Sequence, residues 1–160
     1  MKFIKYLIFF LFFFHASPYE AQNLLVQVFS QNKIQSIELE VIHGSYQVQS
    51  TEGFLSEIIE GQSLKLQVNS SNQVHVAKNG IFIGVYDTLF LYQSSHSDYI
   101  RWSPLLSSKR PIKPREYEGD FEISAFHSQI QVLNSIFVES YLEGVLASEA
   151  GVRCAKEYYK

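Results

Sequence analysis

From Asn23 to Trp102 the chain is written in short segments whose apolar and polar residues alternate, separated by turn-forming residues. Ile37 to Ile42 sets Ile37, Leu39 and Val41 on one side and Glu38 and Glu40 on the other, the period of a half-buried strand. Leu64 to Val68 and Val74 to Val76 repeat the pattern, and Asn69-Ser70-Ser71-Asn72 between them is turn chemistry. Asn79-Gly80 is the strongest hairpin signal in the chain. Leu24 to Phe29 opens the series. Tyr46 to Gln49 is expected to pair back across a tight turn at His43-Gly44-Ser45. Ile81 to Ile83, Leu89 to Tyr92 and Tyr99 to Trp102 read as further strands.

Lys109, Arg110, Lys113 and Arg115 interleave with Pro111 and Pro114, which marks 107–115 as a connector or surface loop. Its basic character is that of a solvated loop, or of a lip that holds an acidic peptide stem or a wall-polymer phosphate. Beyond it, Tyr117 to Ala125 alternates, Phe126 to Gln129 turns, and Ile130 and Val132 return. This hairpin feeds the stretch Asn134 to Glu149. Val138, Tyr141, Leu142 and Val145 then fall at helical spacing, one apolar stripe that predicts a core-facing helix with Tyr141 in the core. The expected fold class is α+β: a β-rich region of short antiparallel strands leading through a hairpin into a C-terminal helical segment.

Glu149 occupies the next position on that stripe, just before Gly151, a natural helix stop. A carboxylate held inward and partly desolvated has a raised pKa, as a general acid at neutral pH requires. The plainer reading is a Glu at a frayed helix end, turned to water. Glu139, in the first turn, suits the helix dipole, and Glu143 points away from the stripe.

Charge and leader bound the rest. A net charge of −3 gives no argument for a nucleic-acid partner. With 46% hydrophobic and 18% charged residues, the chain is composed to fold. Cys154 is the single cysteine, so neither an internal disulfide nor a cysteine-based zinc site is available within the chain. It reads as a buried thiol or as a reactive one near a helix start. The five histidines form no ligand pair at helical spacing, so neither a metal nor another cofactor is called for. Among them, His127 reads as a hairpin-turn residue or as one that reaches a ligand. Lys2 and Lys5 precede an unbroken apolar run from Leu7 to Phe14, far short of the roughly 20 residues that span a bilayer. Residues 1–21 read as a signal peptide cleaved between Ala16 and Gln22, or as an uncleaved anchor. The mature chain is therefore expected in the periplasm or cell-wall space, touching the membrane only through that segment.

Two stretches carry a family resemblance. Asn134-x-Ile136-x-Val138-Glu139-x-Tyr141-Leu142-x-Gly144-Val145-Leu146-x-Ser148-Glu149 resembles the core motif of the stage II sporulation protein D family, the SpoIID/LytB domain. Arg115-x-Tyr117-x-Gly119-x-Phe121-Glu122-Ile123 is similar to that family's approach strand. The resemblance implies a bacterial cell-wall protein similar to lytic transglycosylases that cleave peptidoglycan glycan strands. It implies Glu149 as acid and base, with Arg115 and Tyr117 as supporting framework; Ser148, beside Glu149, reads as a residue that orients it by a hydrogen bond or as a small residue in a tight place. It also divides the chain into 22–106, a β-rich region, the connector, and 116–160, the first part of the domain. The family's Ala-Gln-Ala run beyond the second helix is missing, so the sequence is expected to be a fragment. An alternative is a non-catalytic wall-binding module that recruits or stimulates a cell-wall amidase. A third, suggested by the Tyr and Phe content of the strands, is a carbohydrate-binding domain.

Overall fold

The structure, a computed structural model, describes residues 22–105 and 112–146. The expectations placed on the leader, on Lys109, Arg110 and Pro111 of the connector, and on Ser148, Glu149 and Cys154 lie outside the described residues. Twelve strands run in chain order: β1 Asn23–Val28, β2 Ser36–His43, β3 Ser45–Ser50, β4 Gly53–Ile59, β5 Ser63–Val68 and β6 Val74–Lys78. After them come β7 Ile81–Tyr86, β8 Thr88–Gln93, β9 Tyr99–Pro104, β10 Arg115–Glu118, β11 Asp120–Phe126 and β12 Gln129–Phe137. A helix, α1, follows, and its described part covers 138–146. Strands with a short C-terminal helix are the expected α+β, β-rich architecture.

The strands form two six-stranded antiparallel sheets. The first has the order β1-β12-β11-β8-β3-β4 and the second β10-β9-β2-β5-β6-β7. Strands from both sides of the connector sit in each sheet. Alternation sends one face of each strand into a shared core. From the second sheet come Ile37, Leu39, Leu64, Leu66, Val76 and Trp102; from the first come Tyr46, Val48, Leu89, Leu91, Phe121 and Ile123. Across the interface the rings of Trp102 and Phe121 lie 5.0 Å apart. Each fully buried Leu, Ile or Val contributes about 1.5–3 kcal/mol, so this double face is the main stabilising term.

The Asn-Gly hairpin forms as expected between β6 and β7, with Asn79 at φ 48° and Gly80 at φ 82°. The Asn69 carboxamide closes the β5–β6 turn by accepting from the backbone N–H groups of Ser71 and Gln73, each at 2.9 Å. In that turn Asn72 reaches the opposite sheet. Its side chain donates to the carbonyl of Ala125 and accepts from the N–H of Ser128, both at 2.9 Å.

His43-Gly44-Ser45 is not the hairpin that its composition predicts. β2 and β3 lie in different sheets, and β3 pairs with β4 and β8. Gly44, at φ 77°, is a single-residue corner between layers. A Cβ there would meet the Asp98 carboxylate. Asp98 is buried and accepts from the N–H groups of Ser95 at 2.8 Å, Ser94 at 3.1 Å and Ser45 at 3.3 Å. One carboxylate thus ties the β2–β3 corner to the β8–β9 loop. Asp87 separates β7 from β8, and Gly119 separates β10 from β11, in the same one-residue way.

Tyr46 is fully buried in this corner, and its hydroxyl donates to the backbone carbonyl of Asp98 at 2.9 Å. Burial, with the nearby carboxylates of Asp98, Asp120 and Glu118, pushes its phenol well above the ordinary tyrosine range. The folded chain therefore keeps a proton that the unfolded chain loses above about pH 10, and stability falls there by about 1.4 kcal/mol per pH unit. At neutral pH, Tyr46→Phe should cost about 1 kcal/mol by losing the hydrogen bond. Denaturant unfolding of both proteins from neutral to alkaline pH should show the wild type declining more steeply, so that its advantage shrinks above about pH 10. Parallel curves would remove the buried phenol from the account.

Candidate functional site

The open side of the sandwich lies where the edge strand β1 of one sheet and the edge strand β10 of the other come together. Here α1 crosses and a groove of about 900 Å³ remains. Val26 and Val28 of β1, Asn134 and Ile136 of β12, all four residues of β10, and Ser140, Tyr141, Gly144 and Val145 of α1 line it.

Pairing rules decide where α1 begins. The stretch from Asn134 is a strand as far as Phe137, because Leu24 faces Ile136 and Asp120 faces Ser135 across regular ladders. The N–H of Val138 still donates to the carbonyl of Gln22 at 3.0 Å. The backbone turns helical where these neighbours end, and Glu139 sits exposed in the first turn, favourable to the helix dipole.

The stripe on α1 is not core. Tyr141 is 37% exposed, Leu142 50% and Val145 37%. The physical reason is position: the helix lies across the open side of the sandwich, where a groove takes the place of packed side chains.

The approach strand also differs from the continuous element that alternation suggests. β10 pairs with β9 in one sheet, Gly119 turns at φ 96°, and β11 joins the other sheet. A Cβ on Gly119 would lie 2.4 Å from the carbonyl oxygen of Ser135, so backbone packs directly on backbone there. Asn134 holds the corner: its amide donates to the carbonyls of Glu118 at 2.8 Å and Asp120 at 3.3 Å. From the other side, the Gln93 side-chain oxygen accepts from the N–H of Gly119, and the Asp120 carboxylate accepts from the N–H of Gln93, both at 2.9 Å. Periodicity alone did not single out Asn134, a buried amide within an apolar alternation.

Tyr117 packs edge-on to Phe29 with ring centres 6.0 Å apart, beside the core. Arg115 is exposed, lines the groove and, among the described residues, makes no ion pair. Its neighbour Glu116 is held instead by Arg101, whose Nη2 lies 2.8 Å away and whose guanidinium is made still more basic by that contact. Arg115 is thus a cation in the groove wall with capacity for an anionic group. His127 is at the tip of the β11–β12 hairpin against Phe126, outside the groove lining. Among the described residues, no three His, Cys, Asp or Glu side chains gather as a metal site would.

No protein-family model matches this chain, nor does any curated protein or solved structure.

Asn134→Ala should destabilise the fold by about 1–3 kcal/mol, since two carbonyls at the Gly119 corner lose their donor. Ser140→Ala, on the groove wall, should stay within about 0.5 kcal/mol of wild type. Equilibrium urea unfolding separates the two, and equal midpoints would sink the role given to Asn134.

Proposed function

We propose that this chain carries the first part of a SpoIID/LytB-like domain that cleaves peptidoglycan glycan strands as a lytic transglycosylase. The observation that supports this is the convergence of two distant stretches on one groove. Arg115 and Tyr117 come from the approach-strand motif, and Tyr141, Gly144 and Val145 come from the motif that ends in Ser148-Glu149. In this reading the Glu149 carboxyl protonates the glycosidic oxygen of N-acetylmuramic acid as the bond to the leaving sugar breaks. The carboxylate then takes the proton from the sugar's own hydroxyl as that oxygen bonds to the anomeric carbon. The product is an anhydro-muramic end, and one residue serves both proton transfers where ordinary glycosidases use two carboxylates. Ser148 orients Glu149. Arg115, without an ion pair among the described residues, receives a carboxylate of the muramic or peptide side group.

The exposed apolar residues Leu142 and Leu146 favour a second reading, in which α1 docks a cell-wall amidase and the module stimulates it without cutting glycan. Both readings place the protein outside the cytoplasmic membrane, at the wall.

The test uses full-length protein on purified sacculi, with anhydro-muramic products measured by mass spectrometry. Glu149→Gln should slow their release by about 100-fold or more. Release at the wild-type rate refutes the enzymatic reading. Amidase stimulation that survives Glu149→Gln but is lost in Leu142→Ser supports the second.

A further inference from the structure

The outer face of the first sheet carries a pattern that runs across the strands and is invisible along any of them. The registers place six outward side chains in one row, one from each strand: Gln27, Leu133, Glu122, Phe90, Gln49 and Phe54. Hydrogen-bonding and apolar groups alternate strictly along it. With strands spaced about 4.8 Å apart, the row is about 24 Å long. Tyr92, two residues from Phe90 on the same face, is 40% exposed, and Phe54 is 63% exposed. The rings of Phe90 and Tyr92 lie 6.2 Å apart and only 11° from parallel, which gives a flat apolar floor. Gln27, Gln49 and Glu122 make no side-chain hydrogen bond or ion pair among the described residues, unlike Gln73 and Gln93 elsewhere.

We propose that this row is a binding platform for a single β-1,4-linked pyranose chain lying across the strands. Such a chain presents flat faces of C–H groups, which rest on aromatic rings, and edges of hydroxyl and acetamido groups, which carboxamides bind as both donor and acceptor. The row holds one carboxylate, Glu122, the same face adds those of Glu57 and Asp120, and the six strands carry no Lys or Arg, so a phosphate or acidic partner has nothing to pair with while a neutral sugar chain does. Rigid aromatic groups on a sheet lose little conformational freedom on contact. The platform lies on a different face from the groove and does not depend on Glu149.

Full-length protein is titrated calorimetrically with a soluble chitin oligosaccharide. Wild type and Glu149→Gln should bind alike, whether or not that change stops glycan cleavage. The double variant Phe54→Ala/Tyr92→Ala should bind about tenfold or more weakly, because exposed aromatic anchors dominate such contacts. Both residues are outside the core, and a matching thermal melt checks that the variant folds. Tyr92→Trp, which enlarges the floor, should bind at least as tightly as wild type and provides the reading if the double variant unfolds. Absence of binding by wild type, or equal binding by Phe54→Ala/Tyr92→Ala, overturns the proposal. So does loss of binding in Tyr92→Trp, or a face that self-associates in sedimentation without taking up the oligosaccharide.

Discussion

The sandwich depends on the chain's passing from one sheet to the other in a single residue. At Gly44 and Gly119 the backbone takes a positive φ that a side chain would resist, and at both places neighbouring atoms fill the space of a Cβ. Buried polar groups then hold each corner: the Asp98 carboxylate against three backbone N–H groups, and the Asn134 amide against two carbonyls. In a low-dielectric surrounding such bonds are strong when complete and costly when broken. The two corners therefore set how the layers face each other, and with that the pairing of Trp102 against Phe121.

The groove follows from this arrangement. The Gly119 corner releases β10 to the edge of one sheet while β11 enters the middle of the other. That leaves β10 and β1 as neighbouring edges with room between them, and α1 lies across the space. Arg115 and Tyr117 enter the groove wall because they precede the corner, and Asn134 because its amide spans it.

Much of the strand content was legible in the residues, since two-residue alternation and turn chemistry are local properties. Ile37 to Ile42, Leu64 to Val68 and Asn79-Gly80 behave as their neighbours dictate. What a strand pairs with is not local, and there the reading failed. His43-Gly44-Ser45 has hairpin composition, yet Gly44 serves a corner because Asp98, far along the chain, holds it. β4 gave no signal: it is an edge strand with a bulge opposite Val48 and Gln49, and Ile58 is its sole fully buried residue. The helical spacing that starts at Val138 is kept, while Asn134 to Phe137 ahead of it is strand because two ladders capture it. Arg115 and Tyr117, named as site residues only by the resemblance, line the groove. The Asn134 clasp was not foreseen, because nothing in its spacing tells a buried corner amide from a polar interruption.

The pairing of β1 carries a kinetic consequence. Its one partner is β12, near the far end of the described chain. Emerging residue by residue, β1 has no edge to join until β12 is made. Loop closure of that span cannot initiate collapse, so nucleation must fall to the local hairpins, β5–β6–β7 foremost. The pairing of β1 with β12 is then a late step of the first sheet, a slow zipper whose unpaired edge is open to chaperones or to mispairing until it closes.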